Sequence, residues 1–239
     1  MLYLNPIIIY TNCMSLLNYL SFAVSPILIV LSIIYLKFKF SIKSFKNVTN
    51  AIIWGIIAVL LLIIANYLID LVWGGNLRNM RRMAFFVFVI TAFSSEIAKF
   101  AVLRMSFFNL KSFQSPLGGI IYGVFISLGF SAIASILYAY GIVGTHTKFT
   151  DMTLFLYTFP LASITLGCVM GFFVGMGKLR KSGFIDSSTA IFASTFFHGL
   201  FYFCFITHDK RLLIFTAIGF LIITIGLVYK SVKLTAEKS

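Results

Sequence analysis

The chain has 239 residues, 60% of them hydrophobic and 10% charged, with a mean hydropathy of +1.03, which excludes a water-soluble globular domain. Its 19 Lys and Arg against 6 Asp and Glu would suggest nucleic acid in a soluble protein. Here most basic residues fall between apolar runs, where they set topology and meet anionic head groups, so nucleic acid is excluded and membrane lipid is expected as a partner.

The first stretch, MLYLNPIIIY, has no basic leader region and no small-residue cleavage site, so the first span is expected to remain as an anchor. Residues 1–14 fit either an extension of that span or a short interfacial piece, because Pro6 and the polar TNC interrupt them. A helix needs roughly 18–20 apolar residues to cross the hydrocarbon. Runs of that length predict helices over 15–36, 50–73, 83–105, 117–140, 152–177, 188–207 and 212–230. The expected fold is an all-α polytopic membrane helical bundle of about seven transmembrane helices. No Pro-rich linker, low-complexity tract or repeat period divides it, so residues 1–239 read as a single transmembrane domain.

Segments 37–49, 104–116, 178–187 and the C-terminus carry twelve Lys and Arg, whereas the N-terminus and the other three loops carry six. The excess marks the first set as cytoplasmic, with the N-terminus outside and the C-terminus inside. Labels at Lys43, Lys181 and the C-terminus are expected to report the cytoplasm, and labels at Asn76 or Thr147 the outside.

The third predicted helix contains FSSEIAKF, residues 93–100, which puts Glu96 and Lys99 in apolar surroundings. A lone charge at the centre of a membrane helix costs roughly 2.5–3.5 kcal/mol on insertion scales. The two residues are three apart, so they emerge on one helical turn and can pair, which lowers the cost of both. One reading is a self-neutralising pair that fastens the helix to its neighbours. The other is a carboxylate in a wet cavity that activates water or carries a proton. On either reading both side chains are expected to point into the bundle, toward the fourth and sixth helices.

The fourth helix carries Gly119 and Gly123, and the fifth carries Gly167, Gly171 and Gly175, in each case four apart. Such faces let backbones approach closely, so the fifth helix is expected at the centre of the bundle. The sixth contributes the third deep ionisable group, His198 in STFFHGLFYF. A lone intramembrane His is either a hydrogen-bonded packing residue or a base, and contact with Glu96 across the bundle would favour the second. His146 and His208 fall in loops, there is no HExxH, and Cys13, Cys168 and Cys204 form no CxxC. No metal and no cofactor are expected. GMGKLRKSG lacks the preceding strand that a phosphate-binding loop would need.

In order and spacing these segments resemble the PrsW-type intramembrane proteases. Their wider relatives include the CAAX-processing proteases and the seven-span scaffold subunit of gamma-secretase. The family pattern is Glu-Glu-x-x-Lys, then a Gly-rich span with Gly-Phe, Glu-Asn and Tyr, then a His in each of two later spans. Glu96 and Lys99 match the first motif with Ser95 in place of the first Glu; Gly123, Gly129, Phe130 and Tyr138 match the second, with Ala134 and Ser135 at Glu-Asn. MGFFVGMGK matches the next span, with Ser163 at the first His; His198 is the second, with Tyr202 one turn on. The likeness covers about residues 80–205.

By that resemblance Glu96 and His198 are the candidate catalytic residues, and Lys99, Ser95, Ala134, Ser135 and Ser163 line the site. It implies a protein of the bacterial cytoplasmic membrane and a transmembrane protein as substrate or partner. The substitutions imply a degenerate pseudoprotease that binds a membrane protein or lipid in a cavity once used for hydrolysis. The alternatives are an active glutamic-type intramembrane protease using Glu96 and His198, and a small transporter in which the same pair relays a proton. The transporter reading lacks the broken-helix symmetry found in many transporters.

Overall fold

The computed structural model describes residues 16–40, 45–73, 79–144, 149, 151–180, 182–207 and 209–236. Residues 1–14, Cys13, His146, His208 and the label positions Lys43, Asn76, Thr147, Lys181 and Ser239 lie outside them. Seven helices among the described residues are long and apolar enough to cross a membrane, and the protein is an integral membrane protein. They are α1 (Leu16–Lys39), α2 (Phe45–Val72), α3 (Met80–Phe107), α4 (Pro116–Ala139), α5 (Met152–Arg180), α6 (Gly183–Ile206) and α7 (Lys210–Ala236). Helices prevail because hydrocarbon offers backbone N–H and C=O groups no partner, and an α-helix satisfies nearly all of them within itself.

Local chemistry sets several helix starts. The Asn79 side chain accepts from Arg81 N at 3.0 Å, and Ser115 Oγ accepts from Gly118 N at 3.3 Å ahead of Pro116. Asp151 Oδ1 accepts from Leu154 N at 2.8 Å, and Asp209 Oδ1 accepts from Arg211 N at 2.9 Å. Each cap occupies orphan donors of a first turn, which polar side chains do well at the edge of the hydrocarbon.

The α5 helix is the most buried span, and α1 and α7 are the least. The glycine faces explain the central pair. A Cβ on Gly119 would lie 2.1 Å from Gly171 O, and one on Gly123 would lie 2.4 Å from Gly167 O, so α4 and α5 touch backbone to backbone. Gly175 fits against Pro116 at the end of the same seam. The other flank of α4 meets α2 in the same way, with Gly55 against Ile126 O and Gly129 against Ile52 O. Hydroxyl pairs add cross-links: Ser25 Oγ to Ser131 Oγ at 3.0 Å joins α1 to α4, and Thr165 Oγ1 to Thr224 Oγ1 at 2.8 Å joins α5 to α7.

Several features depart from the predicted elements, among them the start of α6 at Gly183 rather than 188. The α2 helix begins at Phe45 rather than near 50, and α7 runs to Ala236 rather than 230. The α1 helix is broken at 22–23, between Leu16–Ser21 and Val24–Phe40. The α3 helix is not uniformly α: π-helical Phe86–Phe93 and Leu103–Phe107 flank α-helical Ser94–Val102.

Candidate functional site

The short α-helical piece Ser94–Val102 carries Glu96 and Lys99, both well over 10 Å from either end of α3 at about 1.5 Å per residue. Wide π turns on both sides change the angular placement of what lies between them, and such turns recur at functional sites. Hydroxyls precede the pair on the same helix: Ser95 Oγ donates to Thr91 O at 2.6 Å, and Ser94 Oγ donates to Ile90 O. These bonds satisfy carbonyls that the π-helical geometry treats differently from an ordinary α turn.

Lys99 Nζ donates to Glu96 Oε1 at 2.6 Å. Across the bundle, His198 Nδ1 on α6 lies 2.8 Å from the same oxygen. Glu96 and His198 are fully buried and Lys99 is 1% exposed, so one buried oxygen receives both partners. Against an ionised carboxylate, which only accepts, Nδ1 carries the proton and His198 Nε2 presents a lone pair. Among the described residues Glu96 Oε2 and His198 Nε2 meet no hydrogen-bond partner.

Aromatic rings close the surroundings. The Lys99 ammonium lies 5.0 Å from the centre of the Phe130 ring, a cation–π distance. The His198 ring is 5.9 Å from Phe159, and Tyr138 packs against Phe159 at 5.7 Å and Tyr202 at 5.8 Å. Lys99 thus faces the fourth helix and Glu96 the sixth, as the cost of lipid exposure demands.

The remaining positions bring less chemistry. Ala134 is buried with an apolar side chain, and Ser135 is buried with an unpartnered Oγ. Ser163 Oγ donates back to Phe159 O at 2.9 Å, one turn earlier on α5. Of the seven residues singled out, the structure joins Glu96, Lys99 and His198 directly, while Ser95 and Ser163 bond within their own helices. Thr91 and the ring of Phe159 belong to the surroundings but escape sequence reasoning. The hydroxyl spacing in TAFSSE, with Thr91 four residues before Ser95, is the only local trace of the first.

A bound metal would need more donors than remain. The oxygen and nitrogen still open on Glu96 and His198 amount to two, Lys99 competes for the carboxylate, and catalytic zinc takes three protein ligands. Among the described residues no group of three or more His, Cys, Asp or Glu comes together. This donor set does not fit a resident catalytic metal.

Comparison with known proteins gives one consistent result. The family described as "PrsW family intramembrane metalloprotease" matches residues 43–228. Protease PrsW of Oceanobacillus iheyensis is 28% identical over 190 residues, covering 79% of this chain and 83% of that protein. Protease PrsW of Bacillus subtilis is 27% identical over 161 residues, covering 66% and 68%, and that of Geobacillus kaustophilus is 26% identical over 159 residues, covering 66% of each. No solved structure matches the chain.

Proposed function

Because the chain belongs to the PrsW family of intramembrane proteases, we propose that it is a non-proteolytic member, a seven-helix scaffold that binds a transmembrane protein without cleaving it. One observation carries the reading. At Ser95 and Ser163 the hydroxyls are committed to carbonyls of their own helices, and Ala134 offers no polar atom, so the Glu96 carboxylate is left with Lys99 and His198 alone. Amide hydrolysis needs a base, a proton donor for the leaving amine and donors aimed at the developing oxyanion, and removing one oxyanion donor alone costs on the order of 10²–10³ in rate. In this reading the cluster is a neutralised polar core.

A second reading rests on the 2.8 Å contact and on the two unpartnered acceptors, Glu96 Oε2 and His198 Nε2. There Glu96 orients the imidazole and Nε2 takes a proton from water. Co-expression with a single-span reporter separates the two. We expect intact reporter with the parent chain and with Glu96→Gln and His198→Ala alike, and unchanged reporter capture by the double variant Glu96→Gln with Lys99→Met. Cleavage that disappears in both single variants would establish the protease instead.

The orientation follows from the twelve-to-six distribution of basic residues. The protein is placed in the bacterial cytoplasmic membrane, with α1, α3, α5 and α7 ending on the cytoplasmic side. In a cysteine-free background, single cysteines at Lys46 and Lys233 should react with membrane-impermeant reagents only after the cell is opened. Those at Asn79 and Lys210 should react in intact spheroplasts. The opposite pattern would reverse the assignment.

A further inference from the structure

Apart from the Glu96 cluster, a groove with a volume of about 330 Å³ opens between α1, α4, α5 and α7. Its walls are almost wholly apolar, formed by Leu28 and Leu31 of α1, Val124 of α4, Ile164 of α5 and Val228 of α7. Neither Glu96 on α3 nor His198 on α6 reaches it, so a ligand here would not sit in the remains of the hydrolytic site.

The groove has a direction. Its lining residues on α1, α4 and α7 are drawn from the half of the bundle where α1 and α7 end and α4 begins. At that end stands the exposed Lys39, one turn past the lining residue Tyr35, together with Lys230 and Lys233 beyond Val228, whereas Lys37 lines a separate crevice with Phe45 and Val48 of α2. Lys230 Nζ lies 5.9 Å from the Phe172 ring, one turn past the lining residue Cys168. An apolar trough thus leads to a cationic mouth. A lipid that carries both an apolar chain and an anionic head group matches both parts.

We propose that the groove holds one acyl chain of an anionic glycerophospholipid, with its phosphate at the Lys39 and Lys230 mouth. Burial of the chain supplies attraction without head-group preference, and the lysines supply preference for a negative head group. The assignment is independent of whether the Glu96 cluster hydrolyses anything.

Native mass spectrometry of the full chain, purified in mild detergent and loaded with phosphatidylglycerol or with phosphatidylcholine of the same chain length, tests this. The parent should retain one phosphatidylglycerol per chain, roughly ten- to thirty-fold more tightly than phosphatidylcholine, the preference two lysines near a membrane surface can provide. Lys39→Glu with Lys230→Glu should equalise the two lipids. Val124→Phe, which fills the trough, should lower retention of both. Should Val124→Phe fail to fold, Leu28→Phe on peripheral α1 makes the same comparison. Equal retention of the two lipids by the parent, a preference surviving the lysine exchange, unchanged retention in the folded groove-filled variant, or a protein adduct in place of lipid would each overturn the assignment.

Discussion

Glu96→Gln is expected to destabilise the protein by about 1–3 kcal/mol, seen as a lower midpoint when the detergent-solubilised chain is unfolded with increasing SDS. The cause is the ammonium left behind. Lys99 is 1% exposed and lies on a turn far from either helix end, so its stem cannot easily carry the charge to water. A neutral amide in place of the carboxylate can still accept from Nζ, but it supplies no charge to balance the ammonium. Breaking one side of a buried ion pair costs more than the pair itself contributes, because the surviving charge keeps its desolvation penalty. Adding Lys99→Met removes that charge and should restore most of the loss. Lys99→Met alone should be milder than Glu96→Gln, since Glu96 retains the His198 Nδ1 donor at 2.8 Å. Equal stability of Glu96→Gln and the parent would mean that water reaches the cluster and stabilises the Lys99 ammonium in the carboxylate's place.

The seven spans were legible because hydropathy reports a hard constraint: a polar backbone in hydrocarbon must bond to itself over some 20 residues. Their ends were less so. Helix α2 takes in Lys46 and Asn47, and α7 continues through Lys230 and Lys233, because helical hydrogen bonding does not stop where the apolar run stops. Lys in particular is a good helix former once its ammonium reaches water. The break at Phe22 and Ala23 has its signal in Pro26, which cannot donate to Phe22 O and whose ring crowds that carbonyl. The π turns of α3 have none, since FVFVITAF reads the same in hydropathy whether its period is α or π.

At the site, the Glu96 and Lys99 pairing follows from three-residue spacing alone. Its meeting with His198 is tertiary, joining residues 102 apart, and neither residue's local sequence foretells it. The family resemblance supplied the order of segments, but not where substituted side chains would turn. Only the coordinates reveal that Ser95 and Ser163 bond backward into their own helices. The seam between α4 and α5 was readable from repeated glycines. Gly55 and Gly129, which form the matching contact between α2 and α4, stand singly against that seam and carry no such repeat.

Gly171→Leu is expected to cost more than the roughly 1–3 kcal/mol typical of overpacking, and to do so without touching a polar residue of the site. A Cβ at Gly171 would lie 2.2 Å from Gly119 O and 2.8 Å from Ile120 Cα. Both are backbone atoms of α4, so no rotamer change relieves the contact and the helices must separate. Separation propagates, because α4 supplies Phe130 and Tyr138 and α5 supplies Phe159, the rings that pack around Lys99, His198 and one another. Gly226→Leu on α7 is the control, since a Cβ there meets nothing within 4 Å. In parallel SDS titrations the Gly226 variant should match the parent while the Gly171 variant unfolds early. If Gly171→Leu is as stable as Gly226→Leu, the backbone seam between α4 and α5 is not the contact that holds the bundle, and the rings around the Glu96 cluster must be held in place by other helices.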